Sequence, residues 1–485
     1  MAQVARPGAA ARVLEILWHS EAGWSNNEMG SKGKGHKDKK PEARPVQSIA
    51  FHPTEYRACS VGDDRTLKVW EVSPTKAEEF LVGGGGVAAM EAICVCVASE
   101  SLADICMVAK WSPQGKMIAT GSASGSVRIY CRSYDSPPSE GMTEYWKNTN
   151  SFGGHVSDIT DIAFSPDSAY VISSSMSGAV LIHHLDSVAV ASHWSTTDMH
   201  RSARAVAWDP WNKLVATYGL SPSLKLCTVV PKTSSHNKLY LAYERKVQAA
   251  RHVETDTPPA YAISFSPDGV LVAVPNGRSK EGCGRCAYIY ARNCIERPVV
   301  RLGFTEASQS AVLGCAWAPV FFEPYTLKQG PTSTNERLPW GPYKDYRMAL
   351  AVWTVDTVVV YTTDCCGRQS FFTDLHVQSI TSVSWSHDAR YLLVSSLDCY
   401  VSILHFADPI GVAHKDLQFV PEPSMCSLLD TALKTIRNSS IEFENKFTRQ
   451  QTAPANELRV VRKKRRVEPA PVTTPPPTAA TPDQQ

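Results

Sequence analysis

The sequence predicts an all-β fold, a ring of seven four-stranded blades followed by a disordered basic tail, and three observations carry this reading. The first is the stretch Tyr261 to Gly269, YAISFSPDG, running into the apolar Val270 to Val274. Read with period two, Ile263 and Phe265 face one way and Ser264 and Ser266 the other, while Pro267-Asp268-Gly269 turns the chain into a second strand. The second is that this hairpin recurs: apolar, any residue, aromatic, any residue, Pro, turn residues, then a β-branched run. The third is composition. Apolar residues at 43% and charged residues at 20% suit a globular core, while 32 prolines in 485 residues are too many for a helical bundle.

Taken in order, Met1 to Arg12 reads as a disordered lead-in, since its two arginines lack the apolar run of a signal peptide. A transit peptide is the alternative there. Val13 to Trp18, VLEILW, is a short strand standing apart from the repeats. Glu21 to Pro45 holds Gly30, Gly33 and Gly35 among Lys32, Lys34, Lys37, Lys39 and Lys40, and such a composition cannot form a core. It reads as a basic loop insertion, with a phosphate or histone-tail contact as its functional alternative.

The aromatic anchors of the repeats fall at Phe51, Trp111, Phe164, Trp208, Phe265, Trp317 and Trp385, in steps of 60, 53, 44, 57, 52 and 68 residues. A WD40 repeat needs about 40 to 45 residues for four strands, so most steps hold one blade and a loop insertion. Gly83 to Gly86, Ser136 to Asn150, Glu281 to Cys286 and Lys328 to Tyr346 read as those insertions. The prediction is a seven-bladed WD40 β-propeller over residues 13–406. An open ring would fray at its join, so residues 13–18 are expected to complete the last blade.

Net charge is +2, and from Val412 onward eleven Lys/Arg stand against eight Asp/Glu, so the body is close to neutral. Such a body offers no general field for nucleic acid, and no sequence-specific nucleic-acid binding is expected. No run of eighteen apolar residues is present, so no membrane span is expected. Among the 14 cysteines, Cys283-x-x-Cys286 has no second CxxC at zinc-site distance. Neither metal nor cofactor is expected. Cys59, Cys227, Cys315 and Cys399 sit in strand-like runs and read as small buried hydrophobes of a reducing compartment.

The WD40 signature itself is degenerate. Gly154-His155 with Asp161 resembles the buried His and Asp that lock a blade by hydrogen bonds, and that structural role outweighs a catalytic dyad. The closing Trp-Asp becomes Trp70-Glu71, Tyr130-Cys131, Tyr290-Ala291 and Tyr361-Thr362. No Ser/His/Asp or paired-carboxylate motif recommends an enzyme.

After Asp408-Pro409 the strand signature ends, and residues 407–485 read as a mostly disordered tail. A short helix is the reading within Ser427 to Phe447. Inside the tail, Arg462, Lys463, Lys464, Arg465 and Arg466 form a basic run of the nuclear-localisation kind. Flanking Val460, Val461, Val467 and Pro469 give an extended segment able to pair with a sheet edge while its arginines seek acidic partners.

Four stretches go beyond a generic propeller. They are Arg297-Pro298-Val299 leading into Leu302; Ala318-Pro319-Val320-Phe321-Phe322-Glu323; Tyr346-Arg347 followed by Leu350 to Val352 and Val358 to Tyr361; and Trp385-Ser386-x-Asp388 through Ser395-Ser396-x-Asp398-x-Tyr400 to Pro409-Ile410-Gly411. In these the chain resembles the WD40-repeat middle subunit of chromatin assembly factor one, a replication-coupled histone chaperone. The resemblance covers the whole propeller. It implies a nuclear, non-catalytic scaffold in nucleosome assembly. The implied partners are the large subunit of chromatin assembly factor, a second WD40 histone-binding subunit, the anti-silencing histone chaperone, and histones three and four. It further implies that Arg465-Arg466-Val467-Glu468-Pro469, within residues 462–469, is a B-domain-like motif docking on the anti-silencing chaperone. The basic loop and the eroded WD dipeptides depart from the family pattern.

Two other functions fit a propeller. One is the replication-independent histone chaperone of the same architecture, which continues into a long second region, whereas this sequence ends at Gln485. The other is a substrate receptor of a ubiquitin ligase.

Overall fold

Period-two apolar runs separated by turn residues give strands too short to stand alone, and here they stack into seven antiparallel four-stranded sheets among the described residues. The computed structural model describes residues 11–17, 43–83, 89, 92–185, 190–194, 203–219, 224–233, 239–247, 262–278, 285–292, 295, 298–303, 310–323, 346–363 and 365–406. Most of the basic loop and the whole of residues 407–485, with Arg462 to Pro469 and the expected helix, lie outside them.

The chain starts with β1 (Ala11–Leu17). Blade one is β2 (Val46–Phe51), β3 (Arg57–Gly62), β4 (Thr66–Val72), then α1 (Pro74–Gly83) and β5 (Cys94–Ser101). Blade two is β6 (Cys106–Trp111), β7 (Met117–Ser122), β8 (Val127–Ser133) and β9 (Tyr145–Phe152). Blade three is β10 (Ile159–Phe164), β11 (Tyr170–Ser175), β12 (Val180–His184) and β13 (Val190–Trp194). Blade four is β14 (Ala203–Trp208), β15 (Leu214–Gly219), β16 (Leu224–Thr233) and β17 (Leu239–Val247). Blade five is β18 (Ser264–Phe265), β19 (Leu271–Arg278), β20 (Arg285–Ala291) and β21 (Val300–Gly303). Blade six is β22 (Gly314–Trp317), β23 (Ala349–Trp353), β24 (Thr357–Thr362) and β25 (Cys365–Thr373). Blade seven is β26 (Ile380–Trp385), β27 (Tyr391–Ser396) and β28 (Tyr400–Phe406), and its fourth strand is β1.

Closure therefore uses the first strand of the chain. β1 pairs antiparallel with β28 in unbroken register from Ala11 opposite Phe406 to Leu17 opposite Tyr400. The strand begins two residues before the Val13 suggested by the sequence. Seven apolar clusters, one between each consecutive pair of blades, form the core of the described residues. The cluster between blades seven and one packs Val46, Ile49 and Trp70 against Tyr391, Leu393 and Ile403.

Several sequence readings change. Ser136 to Asn150 is not wholly an insertion: Tyr145–Phe152 is the outer strand of blade two, and Trp146 and Phe152 are buried at its ends. An outer strand is solvated on one side, so its polar middle looks like loop. Helix α1 was not expected. Pro74 stands at its first turn, where a missing N–H costs nothing, and glycines from Gly83 onward end it. Ala77 and Phe80, three apart, lay its apolar side on the core between blades seven and one. Cys399 lies in the turn before β28, with φ of 76°, and is only half-buried. Within Tyr261 to Gly269, strand pairing with β19 is confined to Ser264–Phe265. Ala262 instead bridges in parallel to Gly314 of the next blade, where its amide donates to Leu313 O at 3.1 Å and its carbonyl accepts from Cys315 N at 3.0 Å.

Candidate docking face

An antiparallel blade puts its first-to-second turns on one rim of the ring and its second-to-third turns, with the blade-to-blade connections, on the other. The first rim is a belt of clasps. In Ser165-x-Asp167, Ser266-x-Asp268 and Ser386-x-Asp388 the serine hydroxyl donates to Oδ1 of the aspartate two residues on. The same Oδ1 accepts the amides of Ala169, Val270 and Arg390. The other oxygen, Oδ2, accepts from the following blade: from Asn212 Nδ2 at 2.8 Å, Tyr346 Oη at 2.8 Å and Tyr56 Oη at 2.6 Å respectively.

Asp209, fully buried in blade four, takes both arms of Arg292 of blade five at 3.2 and 2.9 Å, and that guanidinium lies 3.7 Å over the Trp211 ring. His52 Nε2 lies 3.0 Å from Gly115 O, joining blades one and two. Burial alone would raise the carboxyls of Asp167 and Asp388, but the donated hydrogen bonds, from Ser165 and from Tyr56 first among them, bring both below the ordinary carboxylate range. These acids are committed to holding blades together. Ser-x-Asp was legible in the sequence; the donors were not, because each belongs to another blade.

His155 and Asp161 are both buried, and each has a separate task. The His155 Nε2 lies 2.8 Å from Ser173 Oγ on β11, and Trp70 Nε1 donates at 2.8 Å to Ser60, the equivalent position of β3. Asp161 accepts the Ile162 amide at 2.9 Å and, across the blade boundary, the Val206 amide of β14 at 3.1 Å. Burial, the dominant influence, pushes the Asp161 carboxyl up to about 6, and burial followed by the neighbouring His155 draws the His183 imidazole down to about 4. Among the described residues no group of three His, Cys, Asp or Glu could hold a metal ion, and no helix is long and apolar enough to cross a membrane.

The opposite rim leaves three large apolar side chains exposed among the described residues. Three connections meet there: residues 353–357 of blade six, residues 373–380 between blades six and seven, and residues 396–400 of blade seven. They are stitched into one surface. Asp398 accepts the Val377 amide at 2.9 Å through Oδ2 and the Tyr400 amide at 3.2 Å through Oδ1, while His376 Nδ1 lies 3.2 Å from both oxygens. Leu397 N donates to Ser379 O, Ser396 Oγ to Gln378 O, and Ile380 N to Val355 O. Val377 is left 76% exposed, Tyr400 44% and Val355 39%. The three connections contain Asp356, Asp374 and Asp398 and no lysine or arginine. A pre-stitched apolar patch beside three aspartates is a surface suited to holding a partner. Of the three exposed side chains the sequence drew attention only to Tyr400, beside Ser396 and Asp398, and to none of them as a contact surface; an apolar side chain in a loop becomes conspicuous only once its exposure is known.

The comparisons with known proteins bear on the whole ring. A family model described as the CAF1B/HIR1 beta-propeller domain matches residues 37–409. The chain is 25% identical over 386 residues to a rice (Oryza sativa subsp. japonica) protein named as the FAS2 homolog of chromatin assembly factor 1, covering 75% of this chain and 71% of that one. It is 25% identical over 398 residues to the B subunit of chicken (Gallus gallus) chromatin assembly factor 1, covering 77% and 67%. It is also 24% identical over 398 residues to protein HIR1 of Kluyveromyces lactis, covering 74% of this chain but only 43% of that one. A match running from before β2 to past β28 takes in every strand of the seven blades except the closing strand β1, and on it the chain belongs to the CAF1B/HIR1 β-propeller family.

Proposed function

We propose that this protein is a non-catalytic scaffold subunit of a replication-coupled histone chaperone complex, acting in the nucleus to deposit histones three and four on newly synthesised DNA. The observation that carries the reading is the family match across the ring, together with relatives named as the B subunit of chromatin assembly factor 1. The basic tail supports it. Arg465-Arg466-Val467-Glu468-Pro469 matches, residue by residue, the motif of this family that docks on the anti-silencing chaperone.

The mechanism is one of proximity. The segment Arg462, Lys463, Lys464, Arg465, Arg466, Val467 and Pro469 recruits the histone-bearing chaperone and also serves nuclear import. The propeller binds the large subunit and, through it, the second WD40 histone-binding subunit, so the recruited histones arrive at high effective concentration. The HIR1 relative favours a second reading, a replication-independent chaperone of the same architecture.

Affinity purification of the tagged protein from replicating cells tests the reading. The large subunit, a second WD40 protein and core histones are expected to co-purify at moderate salt; ubiquitin-ligase components in their place would remove the function. Arg465→Ala with Arg466→Ala is expected to weaken binding to the anti-silencing chaperone at least about tenfold, as loss of two charge-assisted contacts requires. Unchanged affinity would remove the docking assignment alone.

A further inference from the structure

The patch formed by Val355, Val377 and Tyr400 has two properties that together specify an occupant. It is rigid before anything binds, because Asp398 holds the Val377 and Tyr400 backbones to one carboxylate, so little ordering cost attends binding. It is also acidic, because its three connections supply three aspartates and no basic residue. Burial would raise Asp398, but the bond and charge of His376 and the two amides keep it below the usual carboxylate range. Arg44 and Asp63 of blade one lie within electrostatic reach of the neighbouring Cys399 and offset each other. The complementary occupant is an extended segment in which apolar residues flank a basic run.

This chain carries such a segment. Val460 and Val461 precede five consecutive basic residues, and Val467 follows them. Reach is no obstacle. Strand β28 runs from Tyr400 on this rim to Phe406 on the clasp rim, so the tail has one blade height to recross. Val460 lies 54 positions beyond Phe406, and at up to about 3.3 Å per residue that chain exceeds the roughly 23 Å of a seven-residue strand many times over. Tethering at this length supplies an effective concentration on the order of millimolar, enough for a patch of modest intrinsic affinity.

We propose that the acidic apolar face of blades six and seven binds the chain's own segment Val460–Val467, with valines seated on Val377 and Tyr400 and the basic run against Asp356 and Asp374. The inference goes beyond the proposed function and holds whether or not that segment also docks on a chaperone. Where both hold, the face and the chaperone compete for the same arginines, and the propeller regulates its own tail.

The test is fluorescence anisotropy with a labelled peptide of residues 458–469 and two full-length proteins, the parent and a chain with residues 462–466 changed to serine. The parent's own segment blocks the face, so the serine chain is expected to bind the peptide at least tenfold more tightly. Adding Val377→Ser and Tyr400→Ala to the serine chain is expected to lose that gain, and both positions are exposed enough to leave the melting temperature unchanged. A peptide with its three valines changed to serine is likewise expected to bind at least tenfold more weakly. Equal binding by parent and serine chain overturns occupancy in cis and leaves the face to a partner in trans. Undiminished binding by the face variant overturns the site. A doubled mass in light scattering that Tyr400→Ala abolishes identifies a second copy of the chain as the occupant and also overturns the proposal.

Discussion

Tyr56 donates its hydroxyl to Asp388 at 2.6 Å, a bond between the first blade and the last, whose residues lie 332 positions apart. It is the ring-closing member of the clasp belt. Phe51 N to Ser384 Oγ, Thr381 Oγ1 to Val46 O and Ser382 Oγ to Ile49 O run along the same seam. The seam is thus closed by side chains as well as by β1.

Tyr56→Phe removes one partly buried, charge-assisted hydrogen bond and leaves the ring packed on His387 and Tyr391. A loss of about 1–2 kcal/mol is expected in urea denaturation, with Asp388 partly unsatisfied. A double-mutant cycle with Asp388→Asn is expected to return a coupling of about 1 kcal/mol; zero coupling removes the clasp.

Deleting residues 1–17 exposes the whole edge of β28 and strips the last blade of its fourth strand. Because each core cluster is shared by two blades, the loss is expected to lower the single unfolding midpoint of the ring, not merely to fray its end. Circular dichroism melts check this. A low-temperature transition confined to one blade is the contrary result.

Arg292→Ala leaves the Asp209 carboxylate buried without its guanidinium and strips the cation from over Trp211. The cost expected at pH 7 is about 3–5 kcal/mol. Burial already holds Asp209 above the usual carboxylate range, so the variant's deficit is expected to shrink as pH falls and the acid protonates. A deficit independent of pH between about 4 and 7 contradicts the pairing.

Asp161 titrates at about 6 in the fold against 3.8 for the free side chain. The folded state therefore holds this proton more tightly than the unfolded state. Its contribution to stability is full below about 4 and is lost as pH rises through about 6. Across that window the change is on the order of 2–3 kcal/mol, at about 1.4 kcal/mol per pKa unit. His183, lowered to about 4, acts in the opposite sense, favouring the fold as pH rises from about 4 to 6.5. The deficit of Asp161→Asn relative to the parent is expected to be larger at pH 4.5 than at pH 7.5. Equal deficits at the two values refute the assignment.

The sequence by itself determined the repeat. Seven aromatic anchors at blade spacing, each followed by turn residues and a β-branched run, are local patterns, and local patterns suffice where strand, turn and strand are consecutive in the chain. The tryptophan anchors also foretold packing, although not that Trp111 Nε1 and Trp385 Nε1 donate to Ala50 O and Ala316 O of the preceding blades. The outer strand at Tyr145–Phe152 was hidden because one face of it meets water and its pattern is loop-like. Helix α1 was hidden because its ten residues mix charged and apolar positions without a clear helical period, although Ala77 and Phe80 pack on the core. What only the tertiary structure decided was every relation across a blade boundary: the donor that each turn aspartate meets, the diversion of Ala262 to Gly314, and the joining of the three connections that carry Val355, Val377 and Tyr400. Such pairings depend on which blade stands beside which in a closed ring, and a ring closes only when the first strand has found the last.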